Sequence, residues 1–167
     1  MGRGEAIEIL ERGQARLDEL MEGLHEEDLT RPATIGGGDW SAKDLIGHIA
    51  FWEDLALQTI VAAKAHSRSP AEDIFSRPGG VDQANAEDQE RKRNWSQKRV
   101  RVDAEETHRR LLEAISSMGD VEWRSKVGEE RRSLGEALGR VLGAPKRPFG
   151  HVFAHLPDLE AFVSSLR

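Results

Sequence analysis

The sequence predicts an all-α fold: an antiparallel bundle of four long helices, with shorter helices in the connections. Three observations predict it. Apolar residues recur three and four apart in four separate segments, the period of a helix with one buried face. Ser41 with Asp44, and Ser133 with Glu136, have the spacing of capping boxes. Tyrosine is absent, aromatic residues make up only 5% of the chain, and Ala, Leu, Glu and Arg dominate the long segments, a composition that disfavours sheets.

Each element follows from its pattern. Ala6, Ile9, Leu10, Leu17, Leu20, Met21 and Leu24 define a helix over about 5–24, interrupted by Gly13 and closed by Gly23 and Pro32. The run Gly36-Gly37-Gly38 lacks the Gly-Lys-Ser/Thr end of a phosphate loop and the preceding strand of a dinucleotide-binding turn, so it reads as a connector. Ser41 then caps a helix over about 42–66, with Trp40 placed to staple onto Leu45. Its stripe is Leu45, His48, Ile49, Trp52, Leu55, Thr59 and Ala63, which puts His48 among core side chains. A loop is expected between Ser69-Pro70 and Pro78-Gly79-Gly80, then a helical segment over 81–94.

Ser96 caps the next long helix, with Trp95 facing Val100, and its stripe runs Val100, Ala104, Leu111, Ile115 and Met118 to a stop at Gly119-Asp120. Leu134, Leu138 and Val141 predict a short helix weakened by Gly135, Gly139 and Gly143, since glycine costs about 1 kcal/mol relative to alanine. The last helix is expected from near Pro148 through Val152, Leu156, Leu159, Val163 and Leu166, with Pro157 kinking or breaking it just after His155.

The 167 residues fit one domain, 1–167. Lys and Arg number 24 against 30 Asp and Glu, a net charge of −6 that opposes a role in coating nucleic acid. No run approaches the roughly 18 uninterrupted apolar residues of a membrane span. Met1-Gly2-Arg3-Gly4-Glu5 leads straight into an amphipathic pattern without an apolar leader, so a cytoplasmic protein with no membrane partner is expected. The basic cluster Arg91, Lys92, Arg93, Lys98, Arg99 and Arg101 around Trp95 is flanked by Glu87, Asp88, Glu90, Glu105 and Glu106, and reads as a solvated helical face.

Cysteine is absent, so any metal must be held by histidine and carboxylate. Of six histidines, His151 and His155 lie one helical turn apart on one face, a spacing from which both rings reach one ion. Val152 stands where a zincin-type protease needs its glutamate, which removes that class. A bare pair also suits mere surface decoration. His48 alters that balance: an imidazole on an apolar stripe needs a partner, and convergence with His151 and His155 supplies one. Three imidazoles would leave a fourth position open, as in catalytic sites, and acidification through about pH 6.5 should release the ion. Asp44 and Asp158 are spaced to support ligand rings, although Asp44 is already explained as a cap, and Trp52 is expected to wall the pocket. His25, His66 and His108 have no partner at ligand spacing and read as surface or rim residues.

The segment Trp40-Ser41-Ala42-Lys43-Asp44-Leu45-Ile46-Gly47-His48-Ile49-Ala50-Phe51-Trp52-Glu53, together with His151-x-x-x-His155, resembles the paired signature of the DinB-like (YfiT-like) metalloenzyme superfamily over nearly the whole chain. The resemblance implies an up-down four-helix bundle carrying zinc, nickel or iron on His48, His151 and His155. It relates the chain to the mycothiol-dependent maleylpyruvate isomerase N-terminal domain, without that enzyme's extra C-terminal domain. It implies a hydrolase or a thiol-S-transferase acting on a small-molecule substrate, with any low-molecular-weight thiol supplied from outside. A homodimer is compatible with it, and so is the other reading, a non-catalytic metal-binding or dimerisation bundle.

Overall fold

The computed structural model of the chain describes residues 1–36, 38–144 and 147–167; Gly37, within the glycine connector, lies outside the described residues. The fold is all-α, as the sequence predicts. Four long helices carry it: α1 (Arg3–Met21), α3 (Ala42–Lys64), α6 (Gln97–Ser116) and α9 (His151–Ser165). Shorter ones fill the connections: α2 (Glu26–Thr30), α4 (Pro70–Ser76), α5 (Gly80–Lys92), α7 (Asp120–Arg124) and α8 (Leu134–Val141). Two-residue strands, β1 (Lys126–Val127) and β2 (Arg132–Ser133), pair antiparallel, with Lys126 opposite Ser133.

Helix α3 packs most extensively on α6, α1 packs on both α9 and α6, and α9 also touches α3, around a core in two clusters: one holds Leu111, Ile115 and Leu138, and the other holds Leu45 and Leu159. Leu45, Leu111, Ile115, Leu138 and Leu159 are fully buried there. Helix α3 is apolar and long enough to suit a membrane span, but most of it is buried against its neighbours, which accounts for its composition. Gly13, an apparent interruption in α1, is a close-approach point. A Cβ there would meet Phe153 and Val152 at 3.3 Å, so glycine lets α1 lie tight against α9.

The caps fall where the sequence places them. Ser41 accepts from the Asp44 N–H and Asp44 answers from its side chain, and Ser133 and Glu136 do the same for α8. Ser96 accepts from the Arg99 N–H at the start of α6. The loop expected between Ser69 and Gly80 is instead α4. Ser69 and Glu72 form a capping box with Pro70 in the first turn, a local signal strong enough to fold a short helix inside a connection.

Two further expectations are corrected. Helix α9 begins at His151, not near Pro148, because Phe149 adopts φ 58° and Gly150 φ −90°, ψ 12°, outside regular helical geometry. It also continues through Pro157 without a break. Pro157 is exposed, so its ring meets solvent, and the helical bonds on either side carry the chain past the one that proline cannot make. Helix α8 is short but its glycines are structural: a Cβ on Gly135 would stand 2.4 Å from Trp123 Cε2, and one on Gly139 3.0 Å from Phe149 Cε2.

Candidate metal centre

His48 projects from the middle of the first half of α3, and His151 and His155 from the first turns of α9. The helical i, i+4 spacing brings the last two rings to a centroid separation of 5.0 Å, and packing of α9 on α3 brings His48 to 4.8 and 5.0 Å from them. The ring nitrogens point inward. His151 Nε2 lies 2.9 Å from His48 Nε2 and 3.2 Å from His155 Nε2, and ligand atoms of all three fall within 4.8 Å of one another. Imidazole nitrogens around a four-coordinate ion at about 2.0–2.1 Å stand about 3.3 Å apart. The two separations to His151 are close to that spacing, and drawing His48 and His155 together around one ion would complete a three-nitrogen donor set.

The electrostatics favour the neutral rings that a metal requires. Burial, then the neighbouring His151, His155 and Lys92, push the His48 imidazolium down to about 2. Burial and then His155 push His151 to about 3, and burial lowers His155 despite the opposing charge of Asp158. A proton competes poorly for these nitrogens, so release of an ion should begin below the ordinary histidine range near 6.5 expected from sequence.

Around the triad, helix α5 presents a polar stripe. Trp40, whose ring lies 4.7 Å from that of His48, donates its indole N–H to Gln89 Oε1 at 2.9 Å. Trp52, edge-on to His151 at 6.1 Å, donates to Asn85 Oδ1 at 2.9 Å. Lys92 Nζ, buried, reaches Asp88 Oδ2 at 2.8 Å and donates to the Gly47 carbonyl, next to His48, at 2.7 Å. Asn85, Asp88, Gln89 and Lys92 thus form one helical face clasped to the metal-site end of α3. Lys92 accordingly leaves the solvated basic face expected from sequence, where only a buried anion could have held it. Arg91 and Arg99 lie over the Trp95 ring, at 5.5 and 3.8 Å, and Arg93 pairs with Glu90.

Of the remaining candidates, Asp44 spends its carboxylate on the Ser41 N–H and hydroxyl. Asp158 acts on His155 through charge alone among the described contacts. Trp52 lines the histidine cluster. His25 and His66 are exposed, but His108 is not a rim residue: its Nδ1 lies 2.8 Å from Oε1 of Glu53, which is 2% exposed. Desolvation lowers the His108 pKa, but the bond to Glu53 and the charges of Glu53, Asp18 and Glu11 outweigh it and raise the ring above its ordinary value. Glu53 beside Trp52 in the second helix was the available signal, since a buried carboxylate demands a partner.

An all-α chain that gathers three histidine nitrogens from two helices has a donor group that could hold a metal ion. The chain belongs to the DinB superfamily, whose family model matches residues 9–156. No curated protein and no solved structure matches it.

Proposed function

We propose that this protein is a metal-dependent enzyme in which His48, His151 and His155 hold one divalent ion, zinc, nickel or iron, and which acts on a small molecule as a hydrolase or thiol-S-transferase. The observation that carries this reading is the convergence of three neutral ring nitrogens from two helices. Bound there, a divalent ion supplies Lewis acidity, which lets water or an exogenous thiol act as a nucleophile near neutral pH.

The chain's own residues supply the setting. Burial keeps the three imidazoles unprotonated, and Trp40 and Trp52 wall the cluster while their indoles are fixed by Gln89 and Asn85. Two nearby acids are engaged, Asp44 in a cap and Glu53 with His108, while Asp158 acts on His155 by charge. The chemistry rests first on the ion and the nucleophile, with Asp158 the one nearby carboxylate not tied into a cap or an ion pair among the described contacts. With no cysteine in the chain, any thiol is a co-substrate. A small-molecule substrate, not nucleic acid or membrane, and a cytoplasmic setting belong to the same proposal. So does dimerisation as an optional state.

Metal analysis of reconstituted protein should give one ion per chain, lost in His48→Ala, His151→Ala and His155→Ala. The loaded protein should then be assayed on esters and small electrophiles, with and without low-molecular-weight thiols. Turnover that needs thiol assigns a transferase, and thiol-independent turnover a hydrolase. Stoichiometric metal with no turnover across the panel assigns the non-catalytic bundle instead.

A further inference from the structure

A second recess lies between α3, α4, the β1–β2 hairpin and α8, with a volume of about 140 Å³. Two aromatic rings in series separate its wall from the histidines. Phe75, in the wall, stacks on Trp52 at 5.8 Å, and Trp52 stands edge-on to His151 at 6.1 Å. Its lining is mainly apolar, with Ala62, Ala71, Phe75, Val127, Ala137 and Val141 alongside small polar residues such as Thr59 and Ser67. Close packing normally fills such space. A void of about 150 Å³ with apolar walls accommodates a benzene ring.

The charges at the mouth are unevenly matched. Arg68 is taken by Asp73 and Glu129, and the Glu72 carboxylate accepts the N–H groups of Ser69 and Glu129. Arg132 and Arg140, by contrast, share one carboxylate, Glu130, which lies 3.6 Å from Arg140 and is largely exposed. An exposed pair of this kind is weak and readily exchanged. Arg140 is also oriented, its guanidinium held 4.5 Å over the Phe75 ring at the edge of the apolar space. A planar guanidinium in that position offers two parallel donors to a carboxylate whose ring occupies the recess.

We propose that this recess is a binding site for a small aromatic carboxylate, the ring lying among the alanines against Phe75 and the carboxylate displacing Glu130 from Arg140 and Arg132. It is independent of the metal reading, because neither its walls nor its cations include a triad histidine. Benzoate, benzyl alcohol and benzylammonium are the probes, titrated by calorimetry and ligand-observed NMR into full-length protein stripped of metal, so that no ion at the triad captures the carboxylate.

Benzoate should saturate one site at least tenfold more tightly than benzyl alcohol, and benzylammonium should not bind. Arg140→Gln, a surface change, should bring benzoate down to the level of benzyl alcohol. Ala137→Leu should abolish both while helical circular dichroism and the urea unfolding midpoint stay unchanged. Equal affinity for benzoate and benzyl alcohol would overturn the assignment of Arg140. Benzoate binding that survives both variants, or fails in the parent protein, would overturn the site. Because every titration is made without metal, these outcomes are separate from those that decide the proposed function.

Discussion

Helices α5 and α8 both lean on α3, the first beside its N-terminal half and the second beside its C-terminal half, and different chemistry holds each in place. Helix α8 is seated by Leu134, Leu138 and Val141 and by glycines that let Trp123 and Phe149 approach its backbone. Helix α5 buries little apolar surface beyond Ala84 and is seated by the directional bonds of Asn85, Asp88, Gln89 and Lys92. Apolar burial is strong and tolerant of small displacements, whereas hydrogen bonds are weaker and fix position. The second kind sits where ring nitrogens must be held in register, and the first where the bundle needs only cohesion.

The comparison breaks most visibly at Leu138, which is fully buried. Leu138→Ala should cost about 2–5 kcal/mol in urea unfolding while leaving metal affinity of the folded fraction within a few-fold of the parent. Gly135→Ala, forced against the Trp123 ring, should cost about 1–3 kcal/mol, again without a metal phenotype. Lys92→Met is the counterpart in α5. It removes the side-chain bond to the Gly47 carbonyl and leaves the buried Asp88 carboxylate with Arg91 alone, so a loss of about 1–3 kcal/mol should be accompanied by clearly weaker metal binding, measured by chelator competition. If Lys92→Met lowers stability but leaves metal affinity untouched, the division of labour between the two helices is wrong.

Acidification sharpens the contrast. The folded-state values of His48 and His151, about 2 and 3, lie below the unfolded value of 6.5, so below that pH the unfolded chain binds protons that the folded chain refuses. Stability they contribute is complete above about pH 6.5 and is lost as pH falls toward 3, at up to about 1.4 kcal/mol per unit per histidine. Metal-free protein followed by thermal unfolding between pH 7 and 5 should show this slope, and His48→Ala should reduce it. His108 has the opposite sign: its raised value adds stability below 6.5 that is lost as pH climbs through that value. Smallest of all, Gln89→Ala removes one bond to Trp40 and should cost about 0.5–1.5 kcal/mol, with a change in tryptophan emission as the main readout.

The four long helices and the His151–His155 pair are legible because each rests on a local rule, apolar period, cap, or i, i+4 spacing; His48, 103 residues from His151, joins the pair through its place on an apolar stripe and the resemblance to the paired family signature. What packs against the triad is not legible. A stripe such as Asn85, Asp88, Gln89 and Lys92 reads as a wet face, since polarity alone cannot tell a side chain bonded to water from one bonded to a buried carbonyl. His108 was misplaced for the same reason, its partner Glu53 lying 55 residues away in sequence. The glycines of α8 and Pro157 in α9 were assigned their intrinsic costs correctly, but tertiary packing and an exposed helix face absorbed them. The capping boxes at Ser69 with Glu72 and at His25 with Asp28 are local signals in the sequence for the short helices α4 and α2.

Phe149 has a consequence for how this chain tolerates changes in length. It is buried in a left-handed conformation, with its N–H bonded to the Gly139 carbonyl, and two residues later the His151 N–H is bonded to the carbonyl of Leu142. The entrance to α9 is thereby sewn to the end of α8, and the angular setting of both α9 histidines is inherited from that seam. One residue inserted between Phe149 and His151 would turn the α9 face by about 100°, the angle per residue of a helix, or else tear the seam. Insertions in the hairpin between β1 and β2 would disturb the bonds of Glu129 to Glu72 and Arg68 but would leave the angular setting of the α9 histidines alone, so natural or engineered length variation should be better tolerated there than between Phe149 and His151.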